Sequence, residues 1–229
     1  MMFPYFDSTM ILLIPALLFS MWAQYRVKST FARYSEVAAA SGVTADSVGR
    51  MLLDRGGLRN VPIEHVAGQL TDHYDPSKKV LRLSDSVSGS RSIAAIGVAA
   101  HEVGHAIQDQ EGYSMLRLRN SIVPVVNICS TLSIPIFLFG LILGYMNLLN
   151  IGILLFCGVL VFHLVTLPVE FDASARALKL LSDTHTLTPG ELAGAKSVLG
   201  AAALTYVAAL VMTIMQLLRL VMLRNARRR

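Results

Sequence analysis

Charge is scarce in this 229-residue chain. Asp, Glu, Lys and Arg make up 15% of it, against 54% apolar residues and a mean hydropathy of +0.56. A soluble globular chain carries about 25% charge. No charged residue occurs from Ser8 to Tyr25, from Asn120 to Val169 or from Ser197 to Leu218. This distribution excludes a disordered chain, a collagen and an ordinary cytosolic domain. Cysteine is nearly missing. Cys129 and Cys157 both sit in apolar runs, where they read as small buried hydrophobes with no disulfide framework or zinc-knuckle spacing. The concentrated positive charge that a nucleic acid would need is also lacking. The net charge is +5 from 20 basic and 15 acidic residues, with much of the excess in Arg219, Arg224, Arg227, Arg228 and Arg229. Residues 26–119 hold 12 basic and 10 acidic side chains, so no nucleic-acid partner is expected. A basic tail beside an apolar run suits anionic lipid headgroups.

What is present is membrane-length hydrophobicity. A helix needs about 20 apolar residues to cross the hydrocarbon core. The first candidate span runs from Thr9 to Gln24, with Phe3, Tyr5, Phe6 and Trp22 as interfacial anchors. Asp7 precedes it, no Lys or Arg does, and no small-residue cleavage site follows, so an uncleaved anchor is expected. The uncharged run from Asn120 to Val169 would extend about 75 Å as one helix, too long for a single crossing. Gly144, Asn147, Asn150 and Gly152 offer a break near its middle, giving two spans, Ile122–Leu143 and Ile151–Val169. A last hydrophobic helix covers Val198–Leu218, with a small-residue face at Gly200 to Ala203.

Basic residues set the orientation. Arg26, Lys28 and Arg33, then Arg117 and Arg119, then Arg176 and Lys179, all fall on one side if the first three segments cross. That side is expected to be cytoplasmic. A fourth crossing would put the terminal arginines outside, against the rule, so three to four hydrophobic helices remain open.

The division expected is a membrane anchor (1–25), a cytoplasmic-side catalytic part (26–119), a transmembrane hairpin (120–169), a segment with a third metal ligand (170–196), and a C-terminal hydrophobic helix with a basic tail (197–229). Within the polar part, Thr44 caps a helix to about Arg55, stopped by Gly56 and Gly57. Val61–Val66 and Val80–Ser84 read as strands, with a turn at Asp75–Lys78. Ser92 caps a helix from Ile93 to about Gln110, ended by Gly112. Thr188, Pro189 and Glu191 form a capping box with Pro at the first helical position.

The helix after Ser92 contains His101-Glu102-Val103-Gly104-His105. Residues four apart share a helical face, so both imidazoles can reach one ion. This is the HExxH pattern of zinc proteases, in which the Glu beside the first His takes a proton from water. A third ligand is needed. Glu170 directly abuts an apolar run, where a carboxylate is costly unless it is exposed or paired with a cation. Asp172 is the fallback. A hairpin of the second and third spans would bring Glu170 back beside His101, because both hairpin ends lie on one face of the bilayer.

These strings carry a resemblance. Residues 70–76 (LTDHYDP), 80–84 (VLRLS), 91–108 (RSIAAIGVAAHEVGHAIQ) and 167–174 (LPVEFDAS) resemble the YugP-like family of membrane zinc neutral metallopeptidases over essentially the whole chain. The resemblance implies a mainly α-helical integral membrane protein with a small α+β, gluzincin-like zinc-protease part. It implies a Zn2+ cofactor held by His101, His105 and Glu170. A looser similarity joins the chain to the HtpX-like and CAAX-processing membrane peptidases, which also place a membrane hairpin between HExxH and the ligand Glu. There an Asp four residues after that Glu supports a zinc histidine. Here the position is Ser174, and Asp172 is two residues after Glu170, so either could orient a ligand imidazole.

The mechanism expected is hydrolysis of peptide bonds in membrane or membrane-proximal proteins, with Glu102 as general base and a zinc-activated water as nucleophile. His185, His73, Tyr74 and Arg176 are candidate oxyanion donors. Val80–Ser84 could pair with an extended substrate or be an ordinary structural strand. His163, inside the third span, lines the site or makes an interhelical contact. The alternative to a cell-membrane, multi-pass protease is a catalytically silent scaffold or chaperone-associated protein that keeps the site. A metal carrier would need ionisable residues along several spans, and only His163 qualifies.

Overall fold

The computed structural model describes residues 8–228, and the anchors expected at Phe3, Tyr5 and Phe6 lie outside them. A short 3-10 turn, Ser8–Leu13, leads into α1 (Ile14–Ser35). Then follow α2 (Ala45–Arg55), β1 (Ile63–Val66), β2 (His73–Asp75), β3 (Val80–Ser84), α3 (Ile93–Gln110), α4 (Ser114–Leu143), α5 (Met146–Asp183) and α6 (Pro189–Arg228). Among the described residues, four helices are long and apolar enough to cross a membrane: α1 with its leading turn, α4, α5 and α6. The protein is mainly helical, with four membrane-spanning helices and a small mixed sheet.

The helices outrun the apolar stretches. α5 continues past Val169 to Asp183, and α6 starts at Pro189, eight residues before the uncharged run begins. Polarity decides where a helix can meet lipid, whereas caps decide where it stops. The capping box at α6 is reciprocal. Glu191 Oε2 accepts from the Thr188 amide at 2.8 Å, and Thr188 Oγ1 accepts from the Glu191 amide at 3.4 Å. Thr44 Oγ1 likewise accepts from the Ser47 amide at 3.3 Å to start α2.

Two compact units are present. One comprises residues 8–24, 118–167 and 205–228. In it α4 and α5 form the expected hairpin, but the break is confined to Gly144 and Tyr145, with Gly144 at φ +79°. Asn147, Asn150 and Gly152 lie inside α5, contrary to their reading as part of a flexible break. Gly152 permits close approach instead: a Cβ there would sit 2.7 Å from Phe137 Cβ, and one at Gly140 would sit 2.8 Å from the Leu149 amide. Small residues let helix backbones pack where lipid supplies no hydrophobic drive. Arg224 Nε donates to Asn150 Oδ1 at 3.0 Å, so the C-terminal end of α6 reaches the hairpin tip. The last hydrophobic helix therefore runs alongside the hairpin as a fourth span. His163 sits in this unit with its ring edge-on to Phe162, centroids 5.8 Å apart.

The other unit comprises residues 25–117 and 168–204. Its core joins α2, α3 and the sheet through Val48, Leu52, Leu53, Leu81, Leu83, Ile96 and Val103, all fully or almost fully buried. The strand order is β1-β3-β2, with β1 parallel and β2 antiparallel to β3. β3 is thus central, and both its edges are taken. The expectation that Val80–Ser84 could receive a peptide by strand addition is therefore corrected: the outer strands are β1 and β2. β2 was not foreseen, because three residues are too few to show a period of two. The expected turn follows it, with Asp75 Oδ1 accepting from the amides of Ser77 (3.0 Å) and Lys78 (3.1 Å).

Candidate active site

α3 carries the HExxH residues and starts where Ser92 Oγ accepts from the Ala95 amide at 3.1 Å. Such a cap contributes about 1 kcal/mol. Its small residues let a neighbour approach: a Cβ on Gly104 would lie 2.5 Å from the Ala173 carbonyl oxygen of α5. At that spacing the side chains one turn either side, His101 and Gln108, reach α5 directly. An alanine at 104 would force the two backbones apart and with them the residues they carry.

His101, His105 and Glu170 converge, their ligand atoms all within 4.8 Å of one another. Glu170 Oε2 lies 3.3 Å from His101 Nε2 and 3.6 Å from His105 Nε2. The imidazoles stand nearly perpendicular, at 86° with centroids 4.8 Å apart. Atoms on a zinc tetrahedron with bonds of about 2.0–2.1 Å are about 3.3–3.4 Å apart, so the carboxylate and imidazoles fit such an ion. Glu170 is 3% exposed, and a buried carboxylate costs several kcal/mol without a compensating charge. Burial pushes the His105 pKa down, but the hydrogen bond to Glu170 and the charges of Glu102 and Glu170 outweigh it and leave it raised.

Both Nδ1 atoms face away from Glu170 and have partners. His101 Nδ1 lies 3.1 Å from Ser174 Oγ, and His105 Nδ1 lies 3.0 Å from Gln108 Oε1. The two readings of the region after Glu170 are thereby resolved. Ser174 supports His101, while Asp172 accepts from Gln108 Nε2 at 2.8 Å and from Arg176 Nε at 2.5 Å. α5 is continuous through Glu170, Asp172 and Ser174, and Asp172 is not among the converging ligand atoms.

Glu102 points from the neighbouring face of α3 and is 8% exposed. Its Oε2 accepts from the Tyr74 amide of β2 at 3.0 Å. That strand therefore holds the carboxylate from its outer edge, away from β3. Tyr74 Oη donates to Asp109 Oδ2 at 2.8 Å, and Lys79 also pairs with Asp109. Burial and the Asp109 carboxylate raise the Tyr74 phenol well above its ordinary range.

The other oxyanion candidates are placed elsewhere. His73 is exposed, with Nδ1 on the Thr71 carbonyl (2.9 Å) and Nε2 beside Arg82 (3.3 Å). Arg176 is held by Asp172 and by Glu111 at 2.6 Å. His185 is exposed just beyond the end of α5, at φ +50°. Gln108 and the Tyr74 amide went unnoticed in the sequence. Gln108 could have been found, because a polar residue three after His105 on the same face has nowhere to go but the site. A backbone amide leaves no trace in residue type.

The family model described as "Putative neutral zinc metallopeptidase" matches residues 9–225. The chain belongs to this family. It is also similar to a protein of Bacillus subtilis (strain 168) described as "Putative membrane protease YugP", at 51% identity over 212 residues, covering 93% of this chain and 94% of that one. No solved structure matches it. Membership in a zinc-metallopeptidase family, the His/His/Glu cluster and the four spans together make this a multi-pass membrane zinc metallopeptidase.

Proposed function

We propose that the chain is a zinc endopeptidase acting on membrane or membrane-proximal proteins, with His101, His105 and Glu170 as zinc ligands and Glu102 as general base. The observation that carries this reading is the convergence of two Nε2 atoms and one carboxylate oxygen while both Nδ1 atoms are engaged elsewhere. A zinc ion held there would act as a Lewis acid on a water and on the scissile carbonyl. Glu102 takes the water proton at a carboxylate oxygen and returns it to the leaving amine. The Tyr74 amide keeps that carboxylate in place meanwhile. Substrates near the bilayer are favoured because Glu170 rides on the same continuous helix as a span.

The purified full-length protein in detergent is expected to hold about one zinc per chain. Hydrolysis of a quenched fluorescent peptide library should be lost on chelation and regained with zinc. A folded preparation with little metal and no hydrolysis would favour the silent scaffold.

The site is proposed to face the cytoplasm. Seven basic residues flank the spans on its side: Arg26, Lys28, Arg33, Arg117, Arg119, Arg176 and Lys179. With α6 crossing, Arg224 and Arg227 lie at the hairpin tip, and together with Arg228 and Arg229, which follow them in the chain, they number four against the seven. In a Cys129→Ala, Cys157→Ala background, an impermeant maleimide added to intact cells should label Asn147→Cys and spare Ser77→Cys. The reverse pattern inverts the orientation.

A further inference from the structure

Gln108 is fully buried, and its partners fix which way its amide points. The nitrogen lies 2.8 Å from the Val169 carbonyl oxygen and 2.8 Å from Asp172 Oδ2. Neither is placed to donate: a carbonyl only accepts, and Asp172 Oδ2 is already the acceptor for Arg176 Nε. A flipped amide would set its oxygen against both acceptors. The oxygen therefore faces His105, where at 3.0 Å it can only accept, so Nδ1 must carry the proton. A neutral imidazole protonated there has its lone pair on Nε2, the atom 3.6 Å from Glu170 Oε2. The same amide also grips α5 at Val169 and Asp172, on either side of Glu170.

We infer that Gln108 is a positioning residue which locks His105 in the Nδ1–H tautomer, aims its Nε2 into the ligand cluster and pins the Glu170 segment of α5 against α3. The polarity is set from outside inward. Arg176, itself anchored on Glu111, orients Asp172, which orients the Gln108 amide, which orients His105. His101 has only the Ser174 hydroxyl in the equivalent place, and a hydroxyl can turn to donate or accept. Direction is therefore imposed on one ligand imidazole through Gln108.

The inference rests on the metal reading above. Its test is the zinc affinity of the detergent-purified full chain, measured by chelator competition at pH 8. Gln108→Glu keeps size and an oxygen for His105 but sets a carboxylate against Val169 and Asp172. Repulsion from those two acceptors displaces that oxygen from His105, so zinc binding is expected to weaken about ten- to a hundredfold, the usual effect of losing a ligand-orienting partner. Adding Asp172→Asn supplies a donor to the new carboxylate and should recover most of that loss, which a role in packing alone would not produce. Wild-type affinity in Gln108→Glu, or a folded double variant binding no better than the single, overturns the inference. Independently of any variant, 15N-histidine spectra of the zinc-loaded wild type should place the His105 proton on Nδ1. A proton on Nε2 overturns it as well. A wild type that binds no zinc fails the metal reading instead.

Discussion

Glu102→Gln should retain zinc and lower kcat/KM for peptide hydrolysis by about 10²–10⁴, the range for losing a general base. That corresponds to about 3–5 kcal/mol of transition-state stabilisation. The amide has the same shape, and its oxygen can still accept from the Tyr74 amide, so the side chain stays where Glu102 Oε2 is held at 3.0 Å. It cannot take a proton from water. Metal content, thermal unfolding and single-turnover kinetics on one preparation separate the outcomes. Near-wild-type rates with zinc present would remove Glu102 from the chemistry, whereas complete loss of zinc would mean that it shapes the metal site. A cellular phenotype rescued by Glu102→Gln would point to the scaffold.

Glu170→Gln should have the opposite signature, with zinc itself lost. An amide oxygen is neutral and a poor ligand. If binding free energy of about 10–16 kcal/mol is shared among four ligands, one ligand is worth about 3 kcal/mol, or roughly a hundredfold in affinity. Asp172→Asn is the informative partner. Its side-chain oxygen can still accept from Gln108, and its present partners are Gln108 and Arg176. Zinc affinity in Asp172→Asn should stay within severalfold of wild type. Equal losses in the two variants would return Asp172 to the list of ligands.

The three-dimensional arrangement departs from the sequence reading where distant residues meet. The helices bearing His101, Glu102 and His105 and following Thr188 were legible because caps and the 3.6-residue repeat act within a few residues. The hairpin was legible because 50 uncharged residues cannot cross once. Its break was not: Asn147, Asn150 and Gly152 read as polar or flexible, yet Gly152 serves contact with Phe137 inside a helix. Glycine marks both turns and close approaches, and only the partner tells them apart. Val80–Ser84 was legible as a strand but not as a central one, since pairing on both edges depends on β1 and the three-residue β2.

By itself the sequence determined that the chain spans a membrane, that two histidines share a helical face with a carboxylate beside them, and that a second carboxylate stands at the end of an apolar run. Each of these follows from composition or from spacing within one element. The tertiary structure alone decided which residues orient the imidazoles, that Asp172 is held by Gln108 and Arg176, and that β2 secures Glu102 through a backbone amide. Three of those contacts, Tyr74 to Glu102, Gln108 to Asp172 and Ser174 to His101, join residues 28 to 73 positions apart. The two between α3 and α5 depend on how closely those helices pack at Gly104, which no local pattern encodes.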